Sequence, residues 1–301
     1  MAVPTTMQAL AMGARATGRS SWLVAPGLLI AFLRTALGWS APLFALAMVQ
    51  AGAAARLHQV GFRPAAVLAG GIEALIAPRS LVVMAGLWTV SVLLSAALRI
   101  AWMAGALPTL GDDLSDAPPS SSTFAQGIAF GFSPMLGTAL LGFAIEITAQ
   151  LYAASVYLGM LLSALRGGGG YPAVSAAFGA VALTSALAAP VVASLVADAA
   201  LARNAIAGDR PTAAVAEGAR RVVLRPGAFL LSIFVLGVAG AVVLGTASTL
   251  ETAVLGVASG APPLLALGPR LMATTLAAAV ATLLELWRLG TIAALACSAE
   301  R

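Results

Sequence analysis

Six segments of the chain are long enough and apolar enough to cross a bilayer, at about 22–50, 80–106, 134–165, 173–205, 228–248 and 271–297. A membrane helix needs about 20 mostly apolar residues, because the hydrocarbon layer is about 30 Å thick and each helical residue rises about 1.5 Å. Three segments exceed that length. A run of about 32 residues extends about 48 Å, so these helices must tilt, kink or protrude. Pro42 and Pro190 offer kinks in the first and fourth segments. A split of the first into two short helices around Trp39-Ser40-Ala41-Pro42 is the alternative. The fold class expected is all-α, a polytopic transmembrane helical bundle with short interfacial amphipathic helices, and residues 1–301 form a single integral membrane domain.

Composition excludes the competing classes. Hydrophobic residues make up 60% of the chain and charged residues 9%, against about 45–50% and about 25% in soluble domains. So few charges cannot clothe a water-soluble surface. Disordered, disulfide-rich secreted and nucleic-acid-binding proteins are excluded with it. The 16 basic residues are all Arg, they are scattered, and the net charge is +5. Such an excess sets topology or meets anionic lipid headgroups. Cys297 is the single cysteine, which excludes an internal disulfide and a multi-Cys metal site. His58 is the single histidine and is expected in a solvated loop after Arg56. Neither a metal nor a cofactor is expected.

Arg15 and Arg19 precede the apolar run from Trp22, as in a signal peptide, but Arg34 interrupts the run and the chain after it stays apolar. An uncleaved first membrane helix is expected. With both termini cytoplasmic, Arg15, Arg19, Arg203, Arg210, Arg220, Arg221, Arg225 and Arg301 lie inside, eight in all, against five outside: Arg56, Arg63, Arg79, Arg166 and Arg270. The bias fits the bacterial cytoplasmic (inner) membrane with cytoplasmic termini.

The breaks between spans are legible. Pro108 and the polar run from Gly111-Asp112-Asp113 to Pro118-Pro119-Ser120-Ser121-Ser122 must leave the hydrocarbon. The glycines at 167–170 form a turn, Gly208-Asp209-Arg210-Pro211 ends one helix and opens another, and Gly260-Ala261-Pro262-Pro263 separates the last two spans. A short amphipathic stretch leading to a Pro occurs three times: Gly13-Ala14-Arg15 before Pro26, Gln126-Gly127 before Pro134, and Glu217-Gly218-Ala219-Arg220 before Pro226. In the first, Met7, Leu10 and Ala14 follow helical spacing; in the third, Val215, Ala219 and Val222 do. Thr123 to Gln126 reads as a capping box opening the second. Trp102-Met-Ala-Gly105 matches Trp287-Arg-Leu-Gly290 at the ends of even spans. Repeat units of 1–106, 107–205 and 206–301 follow, although 63–78 has the same look inside the first. The alternative is that Pro merely favours helix starts.

The segments Ala104-Gly-Ala-Leu-Pro-Thr-Leu-Gly-Asp-Asp113 and Phe124-Ala-Gln-Gly127 carry a resemblance, as do Asp198-Ala-Ala-Leu-Ala-Arg-Asn-Ala-Ile-Ala-Gly-Asp209, Glu217-Gly-Ala-Arg-Arg221 and Pro226-Gly227. With these, the chain resembles six-helix bacterial membrane proteins related to the membrane domain of glycerophosphodiester phosphodiesterase. The resemblance implies a recurring order of helix end, short cytoplasmic loop, amphipathic helix and next membrane helix. Catalysis in that family belongs to a separate soluble domain. None of the 301 residues is expected to form one, so the resemblance implies no catalytic residue here.

Catalytic motifs are missing. A phosphate-binding G-x-x-x-x-G-K-[ST] loop needs a Lys, and H-E-x-x-H needs two His. Ser248 in Gly245-Thr-Ala-Ser248 has no His to activate it. The protein is not expected to be an enzyme. The informative residues are charges within the spans: Arg34, Arg99 and Arg288 against Glu146, Asp198 and Glu285. Each would cost about 2.5–3.5 kcal/mol if left unpaired at the bilayer centre. Measured along their helices they lie about 10–18 Å deep. They are expected to form a buried charge layer, with Glu285 and Arg288 paired at i, i+3 and Gln150 joining Glu146. Such a layer either fixes helix register or lines a substrate or proton path. Arg210, Arg220, Arg221 and Arg225 are candidate contacts to lipid headgroups, or a topology anchor only. Asp112, Asp113 and Asp116 are expected to form a solvated acidic turn, not a cation site. Partners expected are the bilayer with its anionic lipids and a membrane-protein partner, with no nucleic acid. Two functions are consistent with all this: a non-enzymatic scaffold or accessory component of a membrane assembly, and a small transporter or lipid-handling permease.

Overall fold

The computed structural model describes residues 4–115, 117–165, 172–258 and 263–297. The glycine run at 167–170, Asp116, Arg166, Gly260-Ala261-Pro262 and Arg301 lie outside the described residues. Among those described there is no strand. The helices are α1 (Thr6–Arg19), a 3-10 turn at Ser21–Leu23, α2 (Val24–Gly38), α3 (Ser40–Val60), α4 (Pro64–Ile76), α5 (Pro78–Leu114), α6 (Ser121–Leu165), α7 (Pro172–Ala207), α8 (Pro211–Leu224), α9 (Pro226–Ala258) and α10 (Pro263–Cys297). Among the described residues, six runs are long and apolar enough to span a membrane, counting α2 with α3 as one. The protein is an all-α polytopic helical bundle. Large apolar side chains face outward along these runs; Phe130 is 80% exposed and Phe234 67%. A soluble surface rarely carries apolar patches on that scale, whereas hydrocarbon accepts them.

The chain forms two compact units, Ala25–Trp102 and the combination of Met1–Val24 with Met103–Arg301. In the first, the helix breaks at Trp39 for a chemical reason. Pro42 has no N–H to offer the carbonyl of Gly38, and its ring crowds that turn. Trp39 keeps helical dihedrals and donates to the carbonyl of Thr35 at 3.1 Å, so the break is one residue wide. The alternative of two helices is therefore the one adopted, and helix continues to Val60, well past residue 50. Arg56 and His58 are consequently helical, and the expected loop begins only at Gly61, whose φ of +68° favours glycine. The chain reverses there into α4. Gly52 of α3 and Gly70 of α4 meet backbone to backbone, and Gly71 packs on Val49. At 13 residues, α4 is about 20 Å long, too short to cross.

The second unit is built on α7 and α10 together with the last turns of α5. Its fully buried side chains include Leu107, Leu110, Leu195, Leu286, Ile292 and Leu295, interleaved with alanines. Three glycines set its close approaches. Gly13 of α1 lies against Trp287, Gly290 and Thr291 of α10; Gly127 of α6 lies against Ala104 and Gly105 of α5; Gly218 of α8 lies against Ala199 and Ala200 of α7. The buried stripes are accordingly Ala9, Leu10, Gly13, Ala16 and Thr17 in α1 and Ala214, Gly218, Arg221 and Val222 in α8. These differ from the stripes expected on Met7, Leu10 and Ala14 and on Val215, Ala219 and Val222. Helices in a bilayer gain little from hiding apolar surface from one another, and small residues that admit close backbone contact decide the interface.

Two boundaries differ from expectation. Helix α5 continues through Pro108 to Leu114, and α6 runs unbroken from Ser121 through Pro134, so no separate amphipathic helix precedes that proline. The cap is Ser120, whose Oγ accepts from the N–H of Thr123 at 3.1 Å; Thr123 to Gln126 is already helix. Helix α5 runs on through its interior proline, and the carbonyl of Ala104, which Pro108 cannot serve, lies against Gly127 of α6, where an added Cβ would come within 2.2 Å of it. The N-terminal box is instead Thr5 with Gln8, whose reciprocal bonds are 3.3 and 2.8 Å.

A Cβ added at Gly218 would come within 2.8 Å of the Ala200 backbone nitrogen, whereas one at Gly18 would meet nothing. Gly218→Ala should destabilise the protein by about 1–3 kcal/mol despite better helix propensity. Gly18→Ala should be neutral or stabilising by up to about 1 kcal/mol. Thermal unfolding of the two variants in the same detergent checks the contrast.

Candidate functional site

Of the six intramembrane charges, Arg34 and Arg99 belong to the smaller unit and the other four to the larger. In the larger unit, Asp198 is buried on α7 and accepts from Nη2 of Arg288 on α10. The pair ties two helices that are far apart in sequence, where the spacing had suggested a partner for Arg288 within its own helix. Glu285 is half-buried on α10 and Glu146 half-buried on α6, while Gln150 is exposed.

Arg34 of α2 and Arg99 of α5 belong to the smaller unit and line one cavity of about 340 Å³. Its wall also contains Gly38, Ser40 and Ala41 from the α2–α3 break, with Trp88, Ser91, Val92, Ser95 and Ala96 from α5. Pro42 thus opens the helix at the point where the cavity forms. Ser40 and Ser91 share a 2.7 Å hydrogen bond between their hydroxyls. Ser91, Ser95 and Arg99 recur every four residues along α5 and so share a face, and with Trp88 they make its contribution to the wall. No carboxylate lines the cavity. The Nε of Arg34 is buried without a hydrogen-bond partner. The volume lies at the lower end of the range for small-molecule sites, about 300–1,000 Å³.

Outside the spans, the end of α7 and the start of α8 are clamped together. Gly208, at φ +72°, ends α7, and Pro211 occupies the first position of α8 as expected. Arg203 is buried and bonds Asp209 through Nε at 2.7 Å, while the side-chain amide of Asn204 donates to the Asp209 carbonyl at 2.7 Å. Glu217 accepts from Arg221 Nε at 2.7 Å and lies 3.2 Å from Nε of Arg220. The hydrogen bond from Arg221, aided by the charges of Arg220, Arg221 and Arg203 and opposed by burial, holds the Glu217 carboxyl below the ordinary glutamate range. Of the four arginines considered for headgroup contact, Arg210 and Arg220 are exposed, Arg225 is half-buried, and Arg221 is buried within α8's packing face. Asp113 is also buried and bonds Arg19 at 3.2 Å, so it is not part of a solvated acidic turn.

A second cavity, about 420 Å³, lies among the C-terminal ends of α5, α7 and α10, lined by Asp112, Ser115, Ile206 and Cys297 among others. Among the described residues, no three His, Cys, Asp or Glu side chains gather as metal ligands would. The unpartnered Arg34 nitrogen makes the smaller cavity the stronger candidate site. No protein-family model matches the chain, and neither a curated protein nor a solved structure matches it.

Asp198→Asn leaves Arg288 without its carboxylate and should cost about 3–5 kcal/mol, while replacing both partners by Leu and Met should be close to neutral; detergent-phase unfolding of the single and double variants distinguishes the two. For Glu217, the folded carboxyl titrates below the unfolded one. Its contribution is complete above about pH 4.3 and disappears as pH falls through the lowered value. Hydrogen exchange in α8 should therefore accelerate on acidification in the parent, and Glu217→Gln should show the faster exchange already at neutral pH.

Proposed function

We propose that this protein is a non-enzymatic, multi-pass component of the bacterial cytoplasmic membrane, with cytoplasmic termini, that handles a lipid-like anion as a permease or lipid-handling protein does. One observation carries this reading: a cavity in a membrane-spanning unit reaches Arg34 and Arg99 and holds no carboxylate of its own. A guanidinium in hydrocarbon costs about 2.5–3.5 kcal/mol if unpaired. A chain that leaves the Nε of Arg34 buried and unbonded on a concave wall has a use for it beyond register. The order α7, short loop, α8, α9 is the one that the resemblance to glycerophosphodiester phosphodiesterase membrane domains implies.

The scaffold or accessory reading has its own observation. The larger unit joins α7 to α10 through Asp198 and Arg288 and packs α1 and α8 on glycines. Such a unit is built for rigidity and offers a platform to a membrane-protein partner, with Arg210 and Arg220 facing anionic headgroups.

Gentle extraction followed by native mass spectrometry decides between the two. A lipid-class molecule retained at about one per chain is expected, and it should be lost when the cavity is filled by Ser95→Trp. A protein that retains no small molecule, and leaves its membrane only together with a second polypeptide, would replace lipid handling by the accessory role.

A further inference from the structure

We propose that α4 is a docking surface for one lipid leaflet: its outward stripe lies among acyl chains, and Arg63 and Arg79 hold its two ends at the headgroup phosphates. This surface is separate from the cavity and independent of either functional reading. Gly70 and Gly71 turn one side of α4 to α3, against Gly52 and Val49. At about 100° per residue, Ala65, Leu68, Ala69, Ile72 and Ile76 fall on the opposite side, within a sector of about 100°. All five are exposed, Leu68 at 62%, Ile76 at 57% and Ile72 at 48%. A helix that is apolar on both sides needs cover on both, and the chain itself covers only the α3 side.

The level of α4 in the bilayer follows from helix lengths. With 15 residues, α2 extends about 22 Å, so the first turns of α3 must complete a crossing of about 30 Å. The contacts with α4 lie further along α3, at Val49, Gly52 and Arg56, where the chain has reached the headgroup boundary. A helix at that level with an apolar stripe and basic ends lies in the interface. Arg63 is the N-cap of α4. Arg79 follows its last turn and is fixed there by the buried Ser80, whose hydroxyl donates to the Ala74 carbonyl at 2.7 Å. Both arginines are exposed, and among the described residues neither makes an ion pair. Glu73, at the edge of the stripe, is neutralised by Arg56 at 2.6 Å. Free guanidiniums at both ends complement a surface of phosphates. They oppose a second copy of this chain, because two α4 stripes face to face, parallel or antiparallel, bring arginine against arginine. The stripe is also purely aliphatic, without the aromatic anchors that dominate protein interfaces.

The test uses the full chain with Cys297→Ala, in nanodiscs of phosphatidylglycerol and phosphatidylcholine. A nitroxide is attached at Leu68→Cys or at Ile72→Cys, with Leu93→Cys, exposed within α5, as the acyl-chain reference. Collision rates are measured with oxygen, which concentrates among acyl chains, and with a neutral nickel chelate, which stays in water. Oxygen should dominate at Leu68 and Ile72, at a depth of about 5–10 Å. Replacing both arginines, Arg63→Glu with Arg79→Glu, should raise access of the chelate to the Ile72 label about twofold or more, as the ends of the helix lose their hold on the phosphates. Helicity and thermal midpoint establish that each variant is folded, and the two label positions serve in place of each other if one perturbs the hairpin. Dominance of the chelate at both positions means that water covers the stripe, and overturns the proposal. Labels reached by neither reagent are covered by protein and overturn it as well; dipolar broadening between labels then identifies a second copy, and its absence a different polypeptide. Unchanged access in the double arginine variant overturns the assignment of Arg63 and Arg79.

Discussion

Hydrocarbon offers no hydrogen bonds, so every backbone N–H and C=O in the spans must find its partner within the protein. The helices follow from this, and so do the places where they are irregular. Proline inside a span frees one carbonyl, and a helix survives it only where something else receives that carbonyl. At Pro108 the freed carbonyl, on Ala104, packs against Gly127, whose lack of a side chain leaves room for it. At Pro42 the helix gives way instead, and the α2–α3 break becomes the wall of a cavity. The same residue type therefore marks a contact in one unit and an opening in the other.

The medium that requires helices gives them little reason to associate. Apolar side chains are as well solvated by lipid as by each other, so close packing of small residues takes over. In the larger unit α1 rests on α10, the start of α6 on α5, and α8 on α7, with glycine at each contact. Between α7 and α8 the ion pair of Arg203 with Asp209 secures the connecting loop.

The charges are distributed with the same economy. Asp198 and Arg288 neutralise each other between α7 and α10, and Arg221 turns inward to Glu217. The smaller unit contains five arginines and one acid, and Arg34 and Arg99 line a cavity there. Equal numbers of positive and negative side chains in the spans had pointed to one mutually paired layer. Of that layer the structure shows the pair of Asp198 with Arg288, made across two helices.

Much of this protein was settled by its sequence. Hydropathy alone determines the helical membrane class and the number of long apolar runs, because the thickness of the hydrocarbon layer acts on each segment independently. Local chemistry also determines the Gly208 to Pro211 turn and the proline that starts α8, since a positive φ and a missing N–H are properties of single residues. Hydropathy periodicity did not reveal the contact stripes of α1 and α8, because glycine adds nothing to an apolar pattern and matters only when another backbone comes near. Nor could spacing show that Arg288 chooses Asp198, ninety positions away, or that a break at Pro42 would face Ser91 and Ser95. Those features depend on which helices lie side by side, and in a bilayer that choice is made by the fit of small surfaces, which exists only once the tertiary structure has formed.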